Sequence, residues 1–153
     1  MKPRILVSAC LLGVNCRYDG GGKAIEALPA LMELAELIPV CPEILGGLPT
    51  PRMPSERRDG RVVAKDGADV TAAFQRGAGE ALKLAELFGA RCALLKERSP
   101  SCGSGMIYDG SFSGGLVPGD GVTAEELKKG GIAIYGESRV QELMDLLKGG
   151  RER

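Results

Sequence analysis

The chain has 153 residues, 44% of them apolar, with 20 basic and 20 acidic side chains and no histidine. That length suits one domain with one core, and the balanced charge excludes the broad basic surface of a nucleic-acid binder. Without histidine, a Ser-His-Asp triad, a Cys-His pair and a His-bearing zinc site are excluded within one chain.

Taken in order, Arg4–Ser8 reads as a short buried strand, and Ile5-Leu6-Val7 begins it without a signal-peptide core before it. No apolar run is long enough to cross a membrane, so a cytoplasmic protein is expected. A glycine-containing segment runs through Gly20-Gly21-Gly22, then residues 26–37 read as a helix with Pro29 in its first turn. Leu37-Ile38-Pro39-Val40 is a second strand, and its proline argues against a central position. Residues 42–60, rich in proline, read as an ordered loop. Arg61–Val70 predicts a hairpin turning at Asp66-Gly67. From about Thr71, the apolar spacing Phe74, Gly77, Ala78, Ala81, Leu82, Ala85, Phe88 predicts a helix that stops at Gly89.

Cys92-Ala93-Leu94-Leu95 is the third strand, and residues 103–121, with seven glycines, a long loop or lid. Thr123 to Glu126 reads as a capping box for a short helix ending at Gly130. Ile132–Tyr135 is a fourth strand, and Ser138 and Gln141 are the expected caps of a last helix burying Val140, Leu143, Met144 and Leu147. Strands alternating with helices predict an α/β, three-layer Rossmann-like sandwich, with a mostly parallel sheet of about four strands and a small β-hairpin. Residues 1–148 form one domain in this reading, and residues 149–153 a frayed tail.

The chemistry concentrates at strand ends. Cys10, Cys41 and Cys102 each fall just past a predicted strand, on the edge where parallel sheets bind ligands. Cys92 begins its strand and belongs at the opposite edge. An odd number of cysteines, five, cannot be fully paired, so ligands, nucleophiles or core residues are expected rather than a disulfide framework. The spacing does not match paired zinc knuckles; it suits a soft cluster held by different loops of one rigid sheet. Around the trio stand Arg17 and Asp19 as a substrate wall, Glu43 as an acid or base beside Cys41, and Ser101 beside Cys102. Gly103 could let backbone amides approach an anion or sulfide. Each has an ordinary reading too: a packed thiol, a salt bridge from Glu43 to Arg17 or Arg52, an ordinary turn at Ser99–Gly103. Cys16 is a fourth ligand, a resolving thiol or a passenger.

Three motifs in order, Ser8-Ala-Cys-Leu-Leu-Gly13 with Arg17-Tyr-Asp-Gly20, Cys41-Pro-Glu43 with Gly46-Gly-Leu48 and Pro51-Arg52, and Leu95-Lys96 with Ser99-Pro-Ser-Cys-Gly103, resemble the thiouracil desulfidase family in its short, single-domain form. The resemblance covers about the whole chain. It implies a 4Fe-4S cluster on Cys10, Cys41 and Cys102, with one iron open, and conversion of a thiolated uracil to uracil and hydrosulfide without net redox change. It further implies proton transfer and water positioning by Glu43 and Ser101, substrate contacts from Arg17, Asp19, Arg52 and Gly103, and supply of the cluster by assembly machinery. Cys16 departs from the family pattern; as a ligand it would close the open iron, and a nearby free thiol is the favoured reading. The neutral charge favours a small thiocarbonyl substrate over a tRNA, although Arg52, Arg57 and Arg58 could form a local basic patch. Two other readings stand beside it: a metal-free sulfurtransferase with a persulfide on Cys102, and a non-catalytic iron–sulfur module.

Overall fold

Ile5, Leu6 and Val7 are at most 1% exposed because β1 (Arg4–Ser8) lies inside the main sheet. A computed structural model, describing residues 2–150, shows its neighbours. β1 pairs in parallel with β2 (Glu36–Val40) on one side and β5 (Cys92–Leu95) on the other, and β8 (Ala133–Gly136) pairs in parallel with β5, giving the order β2-β1-β5-β8. β2 is an edge strand, where Pro39 costs no interior ladder bond.

The alternation of side chains along these strands builds two apolar layers. Ile5, Val7 and Leu94 pack against α1 (Leu28–Leu34) and α5 (Val140–Gly150) through Leu31, Leu34, Leu143, Met144 and Leu147. Leu6, Ala93, Leu95 and Ile134 face the other way, onto Ala81 and Ala85 of α3 (Thr71–Phe88) and Ala124 and Leu127 of α4 (Val122–Lys129). The sheet is therefore sandwiched between helix layers, the expected three-layer α/β architecture. Each fully buried leucine contributes about 1.5–3 kcal/mol of burial. α3 ends as expected, with Gly89 at φ 68° donating to Ala85 O and Glu86 O.

Several local expectations are corrected. α1 is shorter than residues 26–37, because Ala35 is already extended and Glu36 enters β2. The 42–60 loop holds a one-turn helix α2 (Pro42–Leu45) and the strand β3 (Ser55–Arg58). The hairpin forms upstream of the expected one: β3 pairs antiparallel with β4 (Arg61–Ala64) across Asp59-Gly60, both at positive φ (52° and 79°), the geometry of a tight two-residue turn. Asp66-Gly67 also turns the chain, but joins only an isolated Val63–Asp69 bridge. Within 103–121, β6 (Met106–Tyr108) and β7 (Leu116–Pro118) form a second antiparallel pair.

Neither predicted cap forms. Thr123 is buried inside α4, which is preceded by Gly121 without a side-chain cap. Ser138 lies in a 3-10 turn (Glu137–Arg139) before α5 and donates to Glu97, while Gln141 donates to Asp145 at 3.0 Å within the helix. Of the expected tail, 149 and 150 belong to α5, and 151–153 lie outside the described residues.

One close approach sets the position of Cys41. A Cβ at Gly77 on α3 would sit 1.8 Å from Pro42 O and 2.7 Å from Pro42 C. The glycine lets the turn after Cys41 press onto α3. Gly77→Ala is expected to lower stability by about 1–3 kcal/mol through overpacking, read as a lower urea midpoint; an unchanged midpoint would show that the contact carries no weight.

Candidate metal centre

The register of the sheet decides what meets at its carboxyl edge. Ser8 is level with Val40, and Leu95 with Gly136. The chain after β1 enters a 3-10 turn (Ala9–Leu12) that carries Cys10; the chain after β2 places Cys41 immediately before α2; the turn after β5 carries Cys102. All three line one cavity of about 630 Å³, within the usual range of small-molecule sites, about 300–1,000 Å³. Cys92 does not line it: it begins β5 and packs at the α1–α5 layer.

Cys16 joins the trio on the cavity wall, 3% exposed. The Cys41 Sγ lies 3.6 Å from the Cys16 carbonyl oxygen. Burial pushes the Cys102 thiol up to about 12; the Glu43 and Cys10 charges add to this, while the nearby Ser8 and Ser101 hydroxyls work in the opposite direction. Burial also pushes Cys16 up to about 12, with the neighbouring Cys41 thiol adding to it. Cys10 is raised by burial and by Cys41, while Lys96 and Arg17 work in the opposite direction. Several buried thiols that raise one another's pKa form a poor nucleophile site without a counter-charge, but a good soft-metal site, because a bound metal takes the place of their protons. Among the described residues, no three His, Cys, Asp or Glu side chains group around a single ion. A 4Fe-4S cluster does not need such a group, since its thiolates bind separate irons. The donor set fits a cluster.

Glu43 lines the cavity, and its Oε1 accepts from Arg52 Nε at 3.2 Å. Of the two partners open in the sequence, the structure selects Arg52. That guanidinium is 5% exposed and also donates to Cys16 O at 2.9 Å, Pro49 O at 3.1 Å and Thr50 Oγ1 at 3.1 Å. Arg52, expected to contact substrate, lines the cavity and also ties the Cys16 loop, the Cys41 turn and its own loop together. Arg17 lines the cavity, 5.9 Å from the Tyr18 ring centroid.

Three expected site residues stand off the wall. Asp19 is exposed and accepts from Gly21 N at 2.9 Å, closing its own turn. Ser101 is 1% exposed and shares a 2.8 Å hydrogen bond with Thr123 Oγ1; it receives the Cys102 Sγ at 3.9 Å from behind. The amide of Gly103 is spent on Ser99 O at 2.9 Å, and a Cβ there would meet that oxygen at 2.7 Å. Glycine at 103 is thus a packing requirement of the turn. The basic patch does not form either: Arg52 is buried, and Arg57 is bound to Asp120 O and Glu125, both at 2.7 Å.

Sequence reasoning missed Glu137, which follows β8 and lines the cavity with Lys96. It lies two residues past the expected fourth strand, Ile132–Tyr135; the observed strand runs to Gly136, so Glu137 follows it directly, as Cys41 follows the second. Tyr108 and Phe112 from the β6–β7 segment close another side, held by Glu56, which accepts from Gly110 N at 2.9 Å and Phe112 N at 3.1 Å.

Fold and site define a thiol-lined soft-metal centre at the carboxyl edge of a parallel sheet. The chain belongs to the 2-thiouracil desulfurase family, whose model matches residues 5–139. It is 41% identical over 150 residues to the uncharacterized protein YbbK of Bacillus subtilis (strain 168), covering 92% of this chain and 99% of that one. It is also similar to the solved structure of the 4Fe-4S-dependent thiouracil desulfidase TudS. That match has 50% identity and a TM-score of 0.91, over 96% of this chain and 99% of that one. Among the described residues, no helix is long and apolar enough to cross a membrane.

Proposed function

We propose that this protein is an iron–sulfur-dependent desulfidase that converts a thiolated pyrimidine such as 2-thiouracil to uracil and hydrosulfide, with a 4Fe-4S cluster on Cys10, Cys41 and Cys102. The observation that carries this is the set of three strand-end thiols on one cavity in a chain of this family. Held by the Cys10, Cys41 and Cys102 thiolates, such a cluster would supply a Lewis acid for a thiocarbonyl sulfur. The balance is hydrolytic: water replaces sulfur on carbon, hydrosulfide and a proton leave, and no electrons are exchanged.

The chain supplies the rest. The Glu43 carboxylate, held at Oε1 by Arg52, accepts the proton of the attacking water. Arg52 is a positioning residue, because its donors are taken up by Glu43 and the loops around it. The Cys102 thiol donates to Ser101 Oγ at 3.9 Å, a contact that holds its orientation. Tyr108 and Phe112 narrow the cavity and limit water. Cys16 stays a free thiol beside Cys41. Holding such a cluster implies delivery by assembly proteins.

The persulfide alternative is weakened by the state of Cys102, 6% exposed and with a pKa pushed up to about 12, since a reactive sulfur needs an accessible thiolate. Protein purified without oxygen is expected to carry about four iron per chain and to release sulfide from 2-thiouracil. Iron-free protein that accepts sulfur would establish the sulfurtransferase instead. Iron-loaded protein that releases none from 2-thiouracil or other thioamides would leave a non-catalytic module.

A further inference from the structure

The register pair Leu95–Gly136 sends two adjacent strands off the sheet side by side, so that the next residues, Lys96 and Glu137, meet on the cavity wall. The Lys96 Nζ donates to Glu137 Oε2 at 2.6 Å, and Glu137 Oε1 accepts from Glu97 N at 2.6 Å. The Lys96 backbone N–H is fixed in turn on Ser8 Oγ at 2.9 Å. The pair is thereby held by both adjoining strand ends, on the same cavity as Cys10.

The other carboxylates on this cavity each already accept from a donor within the fold. Glu43 and Arg52 hold each other, and Arg52 is further spent on three loop oxygens. Glu56 holds the β6–β7 segment, and Glu97 accepts from Ser138. Lys96 uses one of its three donors on Glu137, and each Glu137 oxygen has a lone pair left after its single bond. Arg17, Lys65 and Arg98 on the same wall bring donors without an acceptor. Lys96 and Glu137 together present a donor next to an acceptor, at fixed spacing.

We propose that Lys96 and Glu137 form the specificity-determining pair of the site, reading the edge of a pyrimidine ring that carries an N–H beside a C=O. This rests on the desulfidase reading above. The ammonium donates to the ring carbonyl and the carboxylate accepts from the ring N–H, the pattern of a uracil-type ring. At its N3–C4 edge a cytosine-type ring reverses it, with a bare ring nitrogen beside an amino group, and offers the ammonium and the carboxylate no complementary partner. The preferred substrate class is then a thione that keeps its imide edge.

The test uses iron-loaded enzyme without oxygen. Equilibrium dialysis measures binding of 1-methyluracil and 1-methylcytosine, in which only the N3–C4 edge differs, and sulfide release measures KM and kcat for 2-thiouracil and 2-thiocytosine. Wild-type protein is expected to favour the uracil-type ring by about tenfold or more in both assays, the scale of a hydrogen bond to a charged group. Lys96→Met and Glu137→Gln are expected to raise KM for 2-thiouracil about 10- to 100-fold, with kcat little changed, iron content retained and the preference narrowed. Equal wild-type affinity for 1-methyluracil and 1-methylcytosine overturns the proposal, and this arm decides even if a variant fails to fold. A variant that lowers kcat while KM and the preference stay fixed also overturns it. Selective uracil binding without any sulfide release would instead refute the desulfidase reading and leave the edge-reading pair standing.

Discussion

Cys10→Ala, Cys41→Ala and Cys102→Ala are each expected to yield folded protein that retains little or no iron after reconstitution without oxygen and releases no sulfide, while Cys92→Ala keeps the wild-type iron content. The expectation follows from placement. The first three thiols face one cavity from three strand ends, and Cys92 sits at the start of β5 in the α1–α5 layer. Cys16 makes the test sharper, because it faces the same cavity and its carbonyl receives both Cys41 and Arg52. As a free thiol it is dispensable for iron, so Cys16→Ala should keep the cluster. Iron assays and visible absorbance on all five variants decide it: equal loss in all five would sink the strand-end argument, and loss in Cys16→Ala together with the trio would make Cys16 a fourth ligand.

The second large effect concerns Glu43. Glu43→Gln preserves shape and its hydrogen-bonding reach to Arg52 but removes the base. Iron content should stay at the wild-type level, and kcat for sulfide release should fall roughly 100- to 10,000-fold, the scale of general acid–base catalysis. A kcat near wild type would remove Glu43 from proton transfer and leave it as the partner that keeps the buried Arg52 neutralised. The same substitution leaves that arginine without its counter-charge, so a urea titration should accompany the kinetics. A fall in rate with unchanged stability identifies the chemical role.

Much of the fold is legible in the residues. The apolar run of β1, the three-and-four spacing of α3 and the stop at Gly89 all appear where periodicity and backbone preference place them. The misses share a cause. Two Asp-Gly pairs are equally good turns by local chemistry, and the one that joins paired strands is chosen by pairing between Ser55–Arg58 and Arg61–Ala64, a preference no short window contains. Thr123 has the chemistry of a cap, yet the chain buries it against Ser101, where a shared hydrogen bond satisfies both hydroxyls. The side chain of Asp19 and the amide of Gly103 are likewise spent within the fold. A motif shows which chemistry is present, not which donors remain after the backbone has used its share.

Residue types and their order by themselves determined the class of this protein: an α/β chain without histidine, with thiols after strands, whose chemistry must come from sulfur, carboxylates and cations. The tertiary structure decided who meets whom. Parallel register brought Cys10, Cys41 and Cys102 to one cavity, added Cys16 and the Lys96–Glu137 pair, and turned Ser101, Asp19 and Gly103 away. The physical reason is that strand-end position follows from local periodicity, whereas the direction of a side chain past that end depends on contacts from residues far away in the chain.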